Sequence, residues 1–274
     1  MTQMVGYAPS NGAKLYFETR GARGEGPALV FIHAEVADHR MWDPQVEVFS
    51  SRFKVIRYDL RGFGKSSMPE NESFSLRDDL LAVLKQLGIA KAMLVGCSMG
   101  GATAIDFTLE HPEMVAALVP VGAGVSGWSD WSAQSATLMT AMMEAAQKGD
   151  SDGAFEISAR YWIDGPSRES SRVDPKYRER ARQLHRENFS LKLFQHTEVP
   201  LNPPALQRLG EIKCPTLVVI GDNDAQDLGK VAHRLTAEIP GATRATIEDA
   251  AHLPSLEHPA EFNRILEEFL ARLS

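Results

Sequence analysis

The 274-residue chain sets 29 Lys and Arg against 36 Asp and Glu, a formal charge of −7 spread over both halves. That balance leaves no electrostatic footprint for nucleic acid, and no basic amphipathic segment suggests a membrane surface. With 43% hydrophobic and 24% charged residues the chain suits one large domain, or a core domain with an insertion, acting on a small molecule.

Residues 1–12 are polar, with neither a basic start nor an apolar stretch, so no leader is read there. No apolar run approaches the ~18 residues that span a bilayer, and a cytoplasmic setting is expected. Residues 15–17 (LYF) read as an early strand. Residues 28–32 (ALVFI) and 54–58 (KVIRY) are short apolar runs bounded by turn residues, as strands buried on both faces should be. Ser75 and Asp78 resemble a capping box, after which Leu76, Leu80, Val83, Leu84 and Leu87 keep one apolar face until Gly88 stops the helix. Residues 93–95 (MLV) form a strand that runs into a glycine-flanked turn and a helix over 102–110. Residues 118–121, 217–220 and 243–248 supply later strands. A last helix from Pro259 sets Phe262, Ile265, Leu266, Phe269, Leu270 and Leu273 on one side. This alternation predicts an α/β fold with a mostly parallel sheet flanked by helices.

Composition changes over residues 125–209. Strand signals vanish and helical stretches appear, with Trp128, Trp131 and Trp162, three of the four tryptophans. Met139, Met142 and Met143 recur at helical spacing. Pro200, Pro203 and Pro204 punctuate the return to the sheet. The segment is expected to be a helical cap inserted into a core made of residues 1–124 and 210–274. Its basic run from Arg168 to Arg186 is interspersed with acids and reads as a solvated helix face.

The chemistry-bearing stretch is Gly96-Cys97-Ser98-Met99-Gly100-Gly101, a G-x-S-x-G turn between a strand and a helix. A serine held there in strained backbone projects its oxygen above the sheet edge, and the flanking glycines avoid collisions across the turn. The Met99 N–H, at a helix N-terminus, then points to where negative charge develops. Serine is a poor nucleophile and needs a base, itself oriented by a third group. Residues 216–220 end in Gly221-Asp222-Asn223-Asp224, and residues 243–248 lead to Asp249-Ala250-Ala251-His252. The order Ser98, Asp224, His252 assigns nucleophile, acid and base. Asp222, nearer its strand, is the main rival to Asp224, and Asp227 a weaker one. His39, His185 and the other helix or loop histidines lack a matching strand-end carboxylate. Cys97 reads as a small buried hydrophobe. Neither it nor Cys214 belongs to a Cys/His cluster, so no metal and no cofactor are expected.

Residues 96–101, 221–224 and 251–252 together resemble the α/β-hydrolase superfamily across nearly the whole chain. Residues 58–66 (YDLRGFGKS) are similar to its D-x-R-G-x-G-x-S loop, mainly a structural turn, with Phe63 expected to border the pocket. His33-Ala34-Glu35-Val36 occupies the place of the family's oxyanion loop, which implies the Glu35 N–H as second donor beside Met99. Ala34 replaces the usual glycine, and Glu35 sets a carboxylate beside a site meant for an anion. The expectation is that only its backbone faces the pocket while the side chain turns to solvent or to a cap arginine. Ser98 separates the chain from relatives with an aspartate nucleophile, the haloalkane dehalogenases and epoxide hydrolases. Carboxylesterases, lactonases, carbon–carbon bond hydrolases and cofactor-free perhydrolases remain, and residues 33–45 look most like small esterases and enol-lactonase-like hydrolases. The resemblance thus implies cleavage of a small-molecule carboxylic ester or lactone through an acyl-enzyme, by a monomer or homodimer. Trp128, Met139, Met142 and Trp162 of the cap would roof the pocket. The alternatives are a carbon–carbon hydrolase acting on a vinylogous diketone with the same triad, or a low-turnover ligand receptor.

Overall fold

Five consecutive apolar residues have nowhere to lie but the middle of a sheet covered on both faces. In the computed structural model, which describes residues 2–21, 26–69, 73–190 and 198–273, that run is a central strand with all five residues buried. The eight strands of the sheet are β1 (Thr2–Ser10), β2 (Ala13–Gly21), β3 (Ala28–Ile32), β4 (Val55–Tyr58), β5 (Ala92–Cys97), β6 (Val115–Val121), β7 (Leu217–Gly221) and β8 (Thr243–Ile247). Their spatial order is β1-β2-β4-β3-β5-β6-β7-β8. The β1–β2 and β2–β4 pairs are antiparallel, and every pair from β4 to β8 is parallel. This is the mostly parallel, helix-flanked α/β sheet that the strand and helix alternation predicts, in keeping with the fold that the motif resemblance implies.

Helices α1 (Asp43–Phe49), α2 (Leu76–Gln86) and α3 (Met99–Glu110) belong to the first half of the core. Helices α4 (Ala133–Gln147), α5 (Ser151–Ala159) and α6 (Pro175–Asn188) lie between β6 and β7, in the segment read as a cap. Helices α7 (Gln226–Glu238), α8 (Pro254–Glu257) and α9 (Pro259–Ala271) complete the core. Residues 191–197, within the expected cap, lie outside the described residues. In α2 the Ser75 side chain accepts from the Asp78 N–H at 3.2 Å, and Gly88 follows the helix at φ +64°. In α9, Phe262, Leu266, Phe269 and Leu270 are buried in the cluster that also holds Leu29, Phe31, Val95 and Val119. No helix among the described residues is long and apolar enough to cross a membrane.

Four of these elements have no counterpart in the sequence reading: strand β1, helices α1 and α7, and the four-residue helix α8. Strand β1 is an edge strand whose Met4, Val5 and Tyr7 are exposed, so no half-buried alternation marks it. Helix α1 is only seven residues long, and Val46 and Phe49 with Gln45 are all that it buries. Helix α7 does carry a stripe, Leu228, Val231, Ala232 and Leu235, in the shadow of the preceding acidic loop.

Candidate active site

The site begins with a backbone that only particular residues permit. Ser98 sits at φ 54°, ψ −115°, between the end of β5 and the first residue of α3. A non-glycine residue in that region is strained and must be held by its surroundings. Here the Ser98 N–H donates to the Val121 carbonyl at 2.9 Å, and its own carbonyl accepts from Ala102 N–H at 3.0 Å and from Gly124 N–H at 3.3 Å. The turn is too tight for side chains on either side. A Cβ on Gly96 would lie 2.2 Å from the Gly100 carbonyl oxygen, and one on Gly100 would lie 2.4 Å from that of Ile32.

His252 stands on the loop after β8 and Asp224 on the loop after β7. The imidazole Nδ1 lies 3.0 and 3.1 Å from the two carboxylate oxygens of Asp224. Both side chains are almost wholly shielded, at 2% and 1% exposure. One Asp224 oxygen also accepts from the Ala225 N–H at 2.7 Å. Asp222 points elsewhere: it is exposed and accepts from the Asn223 amide. Asp227 is buried and holds Ser132 and Ser135 of the cap.

Ser98 follows β5 and His252 follows β8, with β6 and β7 between them in the sheet, so the loop after β8 reaches back across the strand ends. Gly122, next after β6, is a close floor beneath the imidazole, where a Cβ would lie 2.8 Å from Asp224 Oδ2 and 3.3 Å from His252 Nδ1. The thiol of Cys97, the residue before Ser98, donates to the His252 carbonyl at 3.5 Å. Burial pushes that thiol well up, with Asp224 adding to the effect, so it acts as packing. Both cysteines are free. Among the described residues Ser98 Oγ makes no hydrogen bond to the imidazole; such bonds commonly tighten only when substrate is bound.

The loop after β3 is braced by His33. Its Nε2 accepts from the Leu60 N–H at 2.8 Å, which leaves the proton on Nδ1 to donate to the Ala34 carbonyl at 2.8 Å. Burial lowers the His33 pKa and keeps the ring neutral, against the pull of Asp59. In a trans peptide the C=O and the next N–H point in opposite directions. Fixing the Ala34 carbonyl therefore fixes the direction of the Glu35 N–H. The sequence reading missed this bracing role, although a histidine beside the loop was a visible signal.

A cavity of about 610 Å³ opens over Ser98 and Met99. Its cap wall is mostly apolar, with Leu138, Met139, Met142 and Trp162 among the lining side chains. Trp162 lies on a π-helical turn, Arg160–Asp164, that continues α5, and its ring is 4.5 Å from that of His252. Two residues expected at the pocket lie outside it. Phe63 is buried edge-on against His33 at 5.2 Å, and Trp128 packs against the core and faces a separate shallow groove with Asp130. In exchange the cap supplies His185, whose Nε2 meets Ser158 Oγ at 2.9 Å and whose pKa burial lowers to about 4.

Glu35 overturns its expectation. Its side chain lines the cavity, with no hydrogen bond or ion pair among the described residues. Burial raises its pKa, opposed by the attraction of His252. Among the described residues no cap arginine meets it, and Arg168, Arg178, Arg182 and Arg186 are engaged elsewhere. Arg168 in particular is no part of a solvated face. Its side chain is 1% exposed; it donates to Glu257 at 2.7 Å, to the Asp164 carbonyl at 2.8 Å and to the Asp249 carbonyl. Arg178 pairs with Asp164, Arg182 with Glu156 and Arg186 with Asp152.

The loop after β4 is tied down in the same way. Asp59 accepts from the Lys65 N–H at 2.8 Å, and Arg61 forms a buried two-point pair with Asp79 at 2.6 and 2.8 Å. Asp38, His39 and Asp59 bring oxygen and nitrogen atoms within 4.8 Å of one another, as a metal would need. Their lone pairs are already spoken for. Asp38 holds Arg40 and Asn188, while His39, buried and not on a surface loop, bridges Asp59 at 2.6 Å and Glu18 at 3.3 Å. The cluster is an ion-pair network.

Residues 27–259 match the family model described as alpha/beta hydrolase fold. The chain is 31% identical over 272 residues to an Escherichia coli 2-hydroxy-6-oxononadienedioate/2-hydroxy-6-oxononatrienedioate hydrolase, covering 94% of this chain and 91% of that one. It is 26% identical over 248 residues to 3-oxoadipate enol-lactonase 1 of Acinetobacter baylyi, covering 89% and 88%. A solved N-acyl homoserine lactone degrading enzyme superposes with a TM-score of 0.78 at 26% identity, over 96% of this chain and 99% of the other.

Proposed function

Since the chain belongs to the α/β-hydrolase family, we propose that it is a serine hydrolase that opens a small-molecule carboxylic ester or lactone through an acyl-enzyme on Ser98. The observation that carries this reading is a strained Ser98 on the rim of an apolar cavity, with the shielded His252–Asp224 pair set against the neighbouring strand. His252 takes the Ser98 proton as the oxygen attacks the carbonyl. The tetrahedral oxyanion rests on the Met99 and Glu35 N–H groups. Collapse breaks the ester C–O bond, and the leaving alkoxide takes the proton from His252. Water then gives its proton to His252 and attacks the acyl carbon, and Ser98 leaves with that proton. Asp224 holds the imidazole in the right tautomer throughout. Met139, Met142 and Trp162 shape the apolar wall, and no cofactor enters the scheme.

Replacing Ser98 by Ala should lower kcat by about 10⁴-fold or more with the fold intact. A fluorophosphonate should label wild type at Ser98. Wild-type turnover by the variant, with no label, would refute the assignment. A second reading is favoured by the dioate-cleaving relatives: carbon–carbon bond cleavage by the same triad on a substrate carrying two carboxylates. A panel of esters, lactones and vinylogous diketones separates the two, since turnover of diketones alone would select the second.

A further inference from the structure

The cavity over Ser98 has an apolar wall and, among its described lining residues, a single charged side chain, that of Glu35. Every other side chain with hydrogen-bonding capacity among the described lining residues is a hydroxyl, an amide, an indole or the neutral His185 ring. The cap has arginines in quantity, yet Arg168, Arg178, Arg182 and Arg186 are paired with carboxylates away from the cavity. A carboxyl with no partner among the described residues of such a wall costs stability unless a ligand uses it. Its place beside the oxyanion loop also makes it matter to charge. A carboxylate brought in by the substrate would meet a second acid in a poorly solvated space, whereas an ammonium would meet its counter-ion.

Building on the serine-hydrolase reading, we propose that Glu35 is the charge filter of this pocket. It admits neutral and amine-bearing esters or lactones and turns away substrates whose acyl part carries a carboxylate. The diacids of the carbon–carbon reading are thus the substrates this site is least suited to hold. Two unit charges about 6 Å apart in a partly screened protein site repel enough to depress binding by about ten- to a hundredfold. An ammonium at the same place gains by a similar factor. Burial keeps the Glu35 proton on at higher pH than for a free carboxyl, opposed by the attraction of His252 from the loop after β8; the other titratable side chain lining the cavity is His185 from α6.

The test uses three p-nitrophenyl esters of matched acyl length: pentanoate, hemiglutarate and 5-aminopentanoate. Each is measured as kcat/KM with the full-length wild type and with Glu35→Gln, which keeps the backbone N–H and the side-chain shape. Within each enzyme the rates are referred to the pentanoate ester, so any general loss cancels. Wild type should disfavour hemiglutarate by at least about tenfold, and Glu35→Gln should bring that ratio within about threefold of one and abolish any preference for the amine. Equal ratios in the two enzymes, or hemiglutarate as the best wild-type substrate, would overturn the proposal. If the variant does not fold, the wild-type hemiglutarate-to-pentanoate ratio decides. It should rise as pH is lowered and Glu35 gains its proton, because any general effect of pH on the enzyme is common to both esters and cancels in the ratio; a flat ratio overturns the filter. Failure of the underlying reading looks different: no ester turned over at all and no fluorophosphonate on Ser98.

Discussion

Replacing Arg168 by Met probes how the cap holds His252, the proposed base. The guanidinium is buried against Glu257, whose other oxygen accepts the Ala251 N–H at 2.7 Å, one residue before His252. It also reaches the Asp249 carbonyl on the same loop and the Asp164 carbonyl of the cap. One side chain therefore ties the cap to both ends of the loop that presents the imidazole. Removing it strands Glu257 as an uncompensated buried carboxylate, for which about 3–5 kcal/mol is the usual cost. Unfolding entropy for a chain of this size is about 0.6 kcal/mol per kelvin, so Tm should fall by about 5–9 °C. Because a displacement of ~1 Å in a catalytic group can cost ~10²-fold, kcat should drop by one to two orders of magnitude. Adding Glu257→Met to Arg168→Met should recover at least about 1 kcal/mol relative to the sum of the single variants, by calorimetry and denaturant titration. A Tm loss below 2 °C, or strict additivity in the double variant, would show that the pair does not hold this loop.

Asp224→Asn should lower kcat on the best ester by about 10³–10⁴-fold, and Asp222→Asn by no more than about threefold; the reverse pattern would reassign the acid. Asp227→Ala removes the anchor of Ser132 and Ser135 at the start of α4, so KM should rise more than kcat falls and proteolysis should start near residue 130; an unchanged KM would separate the cap from binding. Stability should also fall on the alkaline side through His39. Burial works against its charge, but the hydrogen bonds to Asp59 and Glu18 outweigh that and hold its pKa up to about 9. A folded value above the unfolded ~6.5 means that the contribution is complete below ~6.5 and is lost as pH rises through 9. Urea titrations between pH 6 and 10 should show a decline of about 2–3 kcal/mol in wild type that is absent in His39→Gln; parallel curves would exclude His39 as its source.

What the sequence made legible, and what it hid, follows from the range of the forces involved. Strand β3 could be read because a run buried on both faces contains no polar residue to contradict it, and the α2 cap because its hydrogen bond spans three residues. The turn at Ser98 was legible in part for the same reason: a Cβ on Gly96 would collide with Gly100 and Gly101 of the same motif, whereas Gly100 answers to Ile32 and His33 at the end of the adjacent strand. The pairing of His252 with Asp224 needed only chain order and strand ends. Side-chain direction at the pocket is another matter. Glu35 turns inward on a loop braced from Leu60 through His33, and the residues that might have drawn it outward, the cap arginines, spend their charge on Asp164, Glu257 and Glu156. A helix such as α6, with basic residues alternating with acids, looks the same in sequence whether those acids are neighbours on its own surface or partners from elsewhere in the fold. Trp128 and Phe63 mislead likewise, since an aromatic residue near a pocket in sequence can as well face the core beneath it. A carboxyl that is the one charged side chain among the described lining residues of an apolar wall is thus a product of long-range pairing, and the charge selection proposed for it is the property through which it becomes measurable.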